Sequence, residues 1–598
     1  MRIKSIVLLC LLLPIGIYGQ HRSEDRAIEV AREFFSKDLG RMASTLSVVK
    51  TEQLRQGSVR KVKTSDILKS CYIVNDETNN RFAFVGADER LPKILGYSDY
   101  GTFESQSVSD YLFGLLAYYD QQYEWLQAYE GTFKAKEVTT TKISPMVTAL
   151  WHQQAPFNNN CPMQNSDTCV TGCVATAMAQ MMHYYKFPDH GYGSISYTSD
   201  SYSINHFFEN DVFDWENMLD DYYNVNATEA EMDAVGKLMY SCGVSVATKY
   251  GLGNSTANRN NIPFALIHYF GYNPNLVAYN RNFFSADEWY DIIDSELEAG
   301  RPLLYGAFNE DDNGHRVIVD GRDENGLYHV NWGIRHTATR TLNGYYSLDI
   351  LRAAAWENGE IVKESDKPYS YKHTMVCRIS PQVIGSREDV FYAKIFSIAS
   401  QEIEIGQRSS FQISSIYCNS TRSSESGERH YFNTEIGVGL FDRSFNFVKS
   451  LNSTNRTFTC QDNVALSAYA GDFTFSGSTF KEGEQYYIAP YVLVEGESIP
   501  TRIRTWMGTK NHYLAEVKDN VVKLTLMGTM SEPFPNEDIL GDVNGDMVVD
   551  RNDAICIVNY VLKRSSPSFN AAAADVNADG VVNITDALAV MNIVLNKN

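Results

Sequence analysis

"QNSDTCVTGCVATAMAQMMHYYKFP", residues 164–188, decides how this chain is read. The Thr-Gly pair before Cys173 reads as a chain bend. The Ala, Met and Gln run after it reads as a helix that stops before Pro188, because proline cannot continue one. Cys173 therefore falls on the first turn of that helix. A thiol there meets the positive end of the helix dipole and unpaired backbone N–H groups, both of which favour the thiolate. Local sequence leaves two readings open: a small buried hydrophobe, or a nucleophile.

A nucleophilic cysteine needs an imidazole to take its proton and donors to hold the oxyanion. "EDDNGHRVIVDGRDENGLYHVNWG", residues 310–333, contains two histidines on what read as adjacent strands. His315 follows a Gly turn. His329 lies two residues before Asn331, so strand alternation puts those two side chains on one face. Periodicity does not choose between the two histidines.

The rest of the chain predicts a multidomain protein: 598 residues are far too many for one core. "MRIKSIVLLCLLLPIGIYGQ" has a basic start and an apolar run too short to span a bilayer, which predicts a signal peptide over 1–19. No later stretch is long and apolar enough for a membrane span, so an exported or cell-surface protein without a transmembrane anchor is expected. The formal net charge of -21 argues against a nucleic-acid partner, which would want a basic surface. Of ten cysteines, nine remain once Cys10 leaves with the leader, an odd number that keeps at least one thiol unpaired within the chain.

Residues 20–142 alternate helical and strand-like patterns and end in "EGTFKAKEVTTTKIS", a polar stretch (residues 130–144) of linker composition. Residues 143–381 mix helices with short β-rich runs, as in an α+β domain. Residues 385–530 carry alternating strands separated by turn residues, which predicts a β-sandwich. "MSEPFPNEDIL" then breaks the chain before a compact tail, residues 538–598.

That tail holds an internal repeat, "DVNGDMVVDRND" from Asp542 and "DVNADGVVNITD" from Asp575, each followed by an apolar helical pattern. In the first loop Asp542, Asn544, Asp546, the carbonyl of Val548, Asp550 and Asp553 fall at positions one, three, five, seven, nine and twelve. Asp575, Asn577, Asp579, Val581, Asn583 and Asp586 repeat the pattern. This is the oxygen spacing that calcium requires. Gly580 occupies the tight-turn position of the second loop and Met547 that of the first, which predicts unequal sites. Aspartate at position twelve and the missing leading helix make the repeat resemble a type I dockerin, which implies docking to a cohesin-like partner.

"WHQQAPFNNNCP", "TGCVATAMAQMMHYYKFP", "FDWENM", "GKLMYSCGVSV", "GHRVIVDG", "YHVNWG" and "GYYSLDIL" occur in this order across residues 144–381. Together they resemble the streptopain family of secreted, papain-fold cysteine peptidases. "RFAFVGADERLPKILGYSDYGTF", residues 81–103, resembles that family's inhibitory pro-segment. The resemblance implies a papain-like α+β peptidase made as a latent zymogen, with no catalytic cofactor and with proteins or peptides as substrates. It assigns Cys173 as nucleophile and His315 as its base, with His329 kept as the weaker candidate. Gln153 would complete the oxyanion hole with the Cys173 N–H, Trp332 would shield the imidazole, and Asn331 would orient it.

Two positions depart from the family pattern. Ile334 replaces a tryptophan, and Arg316 stands where the residue after the base is small. Both are expected to border the substrate cleft. They also leave room for a rival reading, a catalytically impaired papain-fold binding or adhesion protein tethered by its tail.

Overall fold

The computed structural model describes residues 21–37, 40, 42, 45–50, 68–104, 110–128, 134–135, 139–350, 354–355, 373–385, 390–419, 431–527, 541–562 and 571–596, with short gaps inside the longer spans. The predicted leader lies outside these residues, as do Asp542, Asn544, Asp546, Met547, Val548, Asp550, Asp579 and Gly580. The chain divides into two compact units, the first ending at Asp389 apart from a short return at 419–429.

The first unit is organised by a ten-stranded sheet that is antiparallel at every pairing. Its strands in chain order are β1 (Leu46–Val48), β2 (Cys71–Asp76), β3 (Arg81–Gly86), β4 (Ile94–Ser98), β5 (Val277–Asn280), β6 (Leu303–Phe308), β7 (Gly314–Arg322), β8 (Tyr328–Asn331), β9 (Gly344–Tyr346) and β10 (Thr374–Cys377). Across the sheet they run β1-β2-β3-β4-β9-β8-β7-β6-β10-β5. The predicted pro-segment and the predicted catalytic region thus share one sheet, joined where Tyr97 and Gly96 of β4 face Tyr345 and Tyr346 of β9.

Helix α1 (Glu24–Lys37) buries Ala27, Val30, Ala31 and Phe34, the apolar stripe its spacing predicts, against Val74, Ala83, Val85 and Tyr97 of β2, β3 and β4. Helix α2 (Asp110–Ala128) closes this part, its Tyr119 hydroxyl donating to the carbonyl of Ser347 just beyond β9. The linker departs from expectation in its second half. Ile143 N–H donates to Arg322 O at 2.7 Å and Arg322 N–H to Ile143 O at 2.9 Å. Thr140 N–H reaches Glu324 O at 3.0 Å, and Val147 N–H reaches the Asp320 carboxylate at 2.8 Å. Residues 140–147 are a strip bonded along the end of β7, not a free loop.

Helix α3 (Cys173–Tyr185) begins and ends where the sequence predicts. Every residue from Val174 to His183 is buried, the mark of a helix surrounded by core. It ends at Lys186, whose left-handed backbone (φ 46°) turns its N–H back to the carbonyls of Met182 and His183. Helix α4 (Glu229–Ser245) packs beside it, opened by a capping box between Thr228 and Glu231. Helices α5 (Asn261–His268) and α6 (Ala286–Glu298) complete the unit.

In the second unit an eleven-stranded and a three-stranded sheet share one core, in which Phe396 and Phe411 meet Ile436, Val438, Ile488 and Val492. Two sheets facing across a common apolar layer are what the alternating strands of residues 385–530 predict. The tail contains α7 (Arg551–Val561), the short α8 (Ala571–Ala574) and α9 (Ile584–Asn596), with Ile557, Ala587 and Val590 in its core.

Candidate active site

Gly172 sets the geometry of the site. Its φ of 85° lies where only glycine is at ease, and a Cβ there would come within 2.9 Å of the Ser255 carbonyl. Ser255 is the clamp on this elbow. Its hydroxyl donates to Val170 O at 2.6 Å and accepts Gly251 N–H at 3.0 Å, while Val170 N–H reaches Gly251 O at 3.1 Å. Thr171 N–H donates to Gln153 O at 3.1 Å, so the predicted oxyanion glutamine is fastened two residues ahead of Cys173. Cys173 is partly exposed and is a free thiol.

Burial raises the Cys173 thiol above its ordinary value. Opposing this are the backbone N–H and guanidinium of Arg316, and the N–H groups of Cys173 and Val174 at the helix start.

His315 is 5% exposed, and its Nε2 makes a 2.8 Å hydrogen bond to the carbonyl of Trp332. A carbonyl only accepts, so Nε2 carries the proton and Nδ1 keeps the lone pair needed to take one. The Trp332 ring lies parallel to the imidazole, within 10° and 6.4 Å between centroids. Burial pushes the imidazole down to about 3; the Trp332 carbonyl works against this and the Arg316 charge adds to it. The imidazole is neutral at ordinary pH.

The imidazole is oriented by the main chain of Trp332. Asn331, expected in that role, sends its Nδ2 to Ala149 O at 2.9 Å and to Gln180 Oε1 at 3.1 Å, and its Oδ1 accepts Gly333 N–H at 3.0 Å. It braces the start of the domain against α3 and turns the chain after Trp332. His329 pairs with Asp320, Nδ1 to Oδ1 at 2.6 Å, and the other Asp320 oxygen accepts Val147 N–H. Arg316, expected at the cleft border, is 2% exposed. Ile334 is half-buried.

Sequence reasoning missed Asn343. Its Oδ1 accepts Trp332 N–H at 2.9 Å, and its carbonyl accepts the hydroxyl of Ser98 on β4 at 2.6 Å. Ser98, Asn343, Trp332 and His315 form a bonded chain from the predicted pro-segment to the imidazole. No sequence signal marked it, because its members come from three distant segments.

In the tail the position-twelve carboxylates are fully buried and aimed at backbone donors. Asp553 accepts Val543 N–H at 2.7 Å, and Asp586 accepts Asn583 N–H at 2.9 Å and Asn577 N–H at 3.2 Å. Asn583 caps α9 through Thr585 N–H at 2.8 Å. Asp575, Asn577 and Val581 lie on the same second loop. Among the described residues no group of three or more His, Cys, Asp or Glu is placed to hold a metal ion. Hard oxygen donors and a buried carboxylate nonetheless suit calcium.

A stability prediction follows from the buried histidines. His373, ahead of β10, is also pushed down to about 3 by burial. Between pH 6.5 and 3 the unfolded chain binds protons at His315 and His373 that the folded chain does not. Stability is therefore intact above pH 6.5 and falls below it, by up to about 1.4 kcal/mol per pH unit for each histidine. Denaturant midpoints of the first unit are expected to drop between pH 7.5 and 5.5; equal midpoints would refute this.

Residues 151–346 match the model of the Peptidase C10 family, residues 540–595 the Dockerin type I domain, and residues 20–123 the Spi protease inhibitor. Streptopain of Streptococcus pyogenes is 30% identical over 309 residues, which cover 48% of this chain and 76% of streptopain. The thiol protease/hemagglutinin PrtT of Porphyromonas gingivalis is 27% identical over 399 residues, 63% of this chain and 43% of PrtT. A fragment of Prevotella intermedia prointerpain A is 27% identical, with a TM-score of 0.44, over 56% of this chain and 99% of the fragment. Among the described residues no helix is long and apolar enough to cross a membrane.

Proposed function

The chain belongs to the Peptidase C10 family of thiol proteases, and from that premise we infer that it is a secreted cysteine endopeptidase made as a latent zymogen. One observation carries the reading: a glycine elbow holds Cys173 at the start of α3, the helix that packs against the strand presenting His315 with Nδ1 in the accepting state. Nδ1 takes the thiol proton and the sulfur attacks the scissile carbonyl. The oxyanion is held by Cys173 N–H and the Gln153 side-chain amide. The leaving amine takes the proton from His315. Water, deprotonated at Nδ1, then attacks the thioester and frees Cys173.

Latency is supported by β4, which continues the catalytic sheet, and by the bonded chain from Ser98 to His315. A neutral imidazole beside a thiol whose ionisation burial disfavours is a poor thiolate–imidazolium pair. The test is labelling by a peptidyl electrophile. Cys173 is expected to label stoichiometrically in the processed enzyme and slowly in the intact chain. Equal rates would overturn the zymogen reading, and no labelling of either form would favour a binding protein without turnover. Because residues 140–147 are bonded to β7, activating cleavage is expected before Thr140, where N-terminal sequencing of the active form will place it.

Gly96 offers a variant that spares the processed enzyme. A Cβ there would meet the Tyr346 ring at 2.7 Å and Tyr345 O at 3.0 Å. Gly96→Val is expected to loosen the seam and speed labelling of the intact chain by about tenfold, a seam cost of about 1.4 kcal/mol. An unchanged rate would show that the β4 seam does not hold latency.

For the tail we propose calcium as a structural ion, held by Asp542, Asn544, Asp546, Val548, Asp550 and Asp553 and by the matching set from Asp575 to Asp586. Neutralising these carboxylates would fold the loops, so binding free energy becomes folding free energy. Chelator is expected to lower the helicity of the tail without changing peptide hydrolysis. Helicity unmoved by chelator would count against it. The exposed apolar residues Ile555, Leu562, Ile584 and Leu588 suit a cohesin-like docking partner.

A further inference from the structure

The helix that begins at Cys173 also carries Gln180, nearly two turns further along the same face and about 10 Å away. Gln180 is fully buried. Its Oε1 accepts Trp151 N–H at 3.3 Å and Asn331 Nδ2 at 3.1 Å. Two donors converge on that atom, which fixes it as the oxygen end of the amide. Nε2, also buried, bonds no described residue, so the acceptor end makes the contacts.

Each donor leads to a group of the proposed reaction. Trp151 stands two residues before Gln153, whose carbonyl accepts Thr171 N–H at 3.1 Å. The Gln153 segment is thus pinned on both sides, to the elbow before α3 and to α3 itself. Asn331 stands just before Trp332, and its Oδ1 takes Gly333 N–H at 3.0 Å just after it. Trp332 O, which receives the His315 Nε2 proton at 2.8 Å, lies inside that clasp. Gly333 has a φ of 63°, and a Cβ there would come within 3.1 Å of Thr176 Cγ2 and 3.6 Å of Gln180 Nε2. The turn after Trp332 therefore rests directly on the face of α3 that runs from Cys173 through Thr176 to Gln180.

We propose that Gln180 is a positioning residue of the peptidase reaction: its one amide oxygen ties the oxyanion segment at Trp151 and the base-orienting turn at Asn331 to the helix that presents the nucleophile. That role rests on those proposed for Cys173, His315 and Gln153. Gln180 touches no reacting atom. Sulfur, imidazole and oxyanion donor come from three separate segments, and a displacement of about 1 Å between them costs about 10²-fold in rate. Helix α3 is buried from Val174 to His183, so a fastening at Gln180 is relayed to Cys173 along a rigid element. Asn331 Nδ2 also reaches Ala149 O at 2.9 Å, which joins the oxyanion segment and the base-orienting turn a second time.

Steady-state kinetics of the processed enzyme test this. Gln180→Met keeps an unbranched side chain of similar size but loses the acceptor. Gln180→Glu presents an acceptor oxygen in either protonation state. The Met variant is expected to lose about 10- to 100-fold in kcat with KM unchanged, because the misplacement is felt in the transition state. The Glu variant is expected to recover most of that loss. In a Gln153→Ala background no oxyanion amide is left to position, so Gln180→Met is expected to cost several-fold less there. Gln180→Asn, a methylene too short for both donors, replaces the Met variant if melting curves show that one unfolded. If the Glu variant is unfolded, the comparison with and without the Gln153 side chain decides alone. An unchanged kcat in Gln180→Met, equal losses in folded Met and Glu variants, or the same fold-loss in both backgrounds would overturn the proposal. The peptidase reading is judged separately: it falls, and this role with it, if Cys173→Ala is as active as the unaltered chain.

Discussion

Cys173→Ala is expected to lower kcat for peptide hydrolysis by about 10⁴-fold or more, since removing the nucleophile of a concerted set removes nearly all its catalysis. The fold should survive, because only a sulfur is lost from a side chain that is already partly exposed. His315→Ala should be comparably inactive, with the residue held by Trp332 O deleted. His329→Ala should differ in kind. It strips one partner from the fully buried Asp320 carboxylate, which then keeps Val147 N–H. The expected cost is about 1–3 kcal/mol of stability with kcat little changed. Steady-state kinetics and denaturant titration on the three variants would separate these outcomes. An active His315→Ala together with an inactive His329→Ala would reverse the assignment of base.

Gly172→Ala is expected to be nearly as damaging, although no reacting atom changes. The left-handed backbone (φ 85°, ψ 150°) costs an L-residue about 1–3 kcal/mol, and the new methyl would lie 2.9 Å from the buried Ser255 carbonyl. Backbone atoms yield little, so the elbow must move, carrying the sulfur and the Cys173 N–H with it. A displacement of about 1 Å at a reacting group commonly costs about 10²-fold in rate. Gly253→Ala, in the loop that includes Ser255, is the matched control, because nothing lies within 4 Å of its Cβ position. If Gly172→Ala matched the control in both kcat and melting temperature, the elbow would not be the device described here.

The sequence by itself determined the local pieces. A Thr-Gly pair before an Ala- and Met-rich run specified the bend, the helix from Cys173 to Tyr185 and its end before Pro188, because backbone freedom and helix propensity act within a few residues. The alternating strands of 385–530 and the stripe of α1 were legible for the same reason. So was the twelve-residue repeat of the tail, whose spacing is a local pattern of oxygens. Tertiary structure decided everything that depends on pairing across long separations. Strand alternation offered His315 and His329 equally; Asp320 engages the second, and Trp332 O pins the first. Asn331 was expected beside the imidazole, but Ala149 O and Gln180 lay closer to its amide. Arg316 was expected to border the substrate cleft, but Gly306 and Thr374, from two other strands, give it a buried bed. The seam of β4 on β9 joins residues some 250 apart, and no local period encodes which strand edge another will find. Chemistry-bearing residue types are written in short stretches, while their partners are chosen by packing.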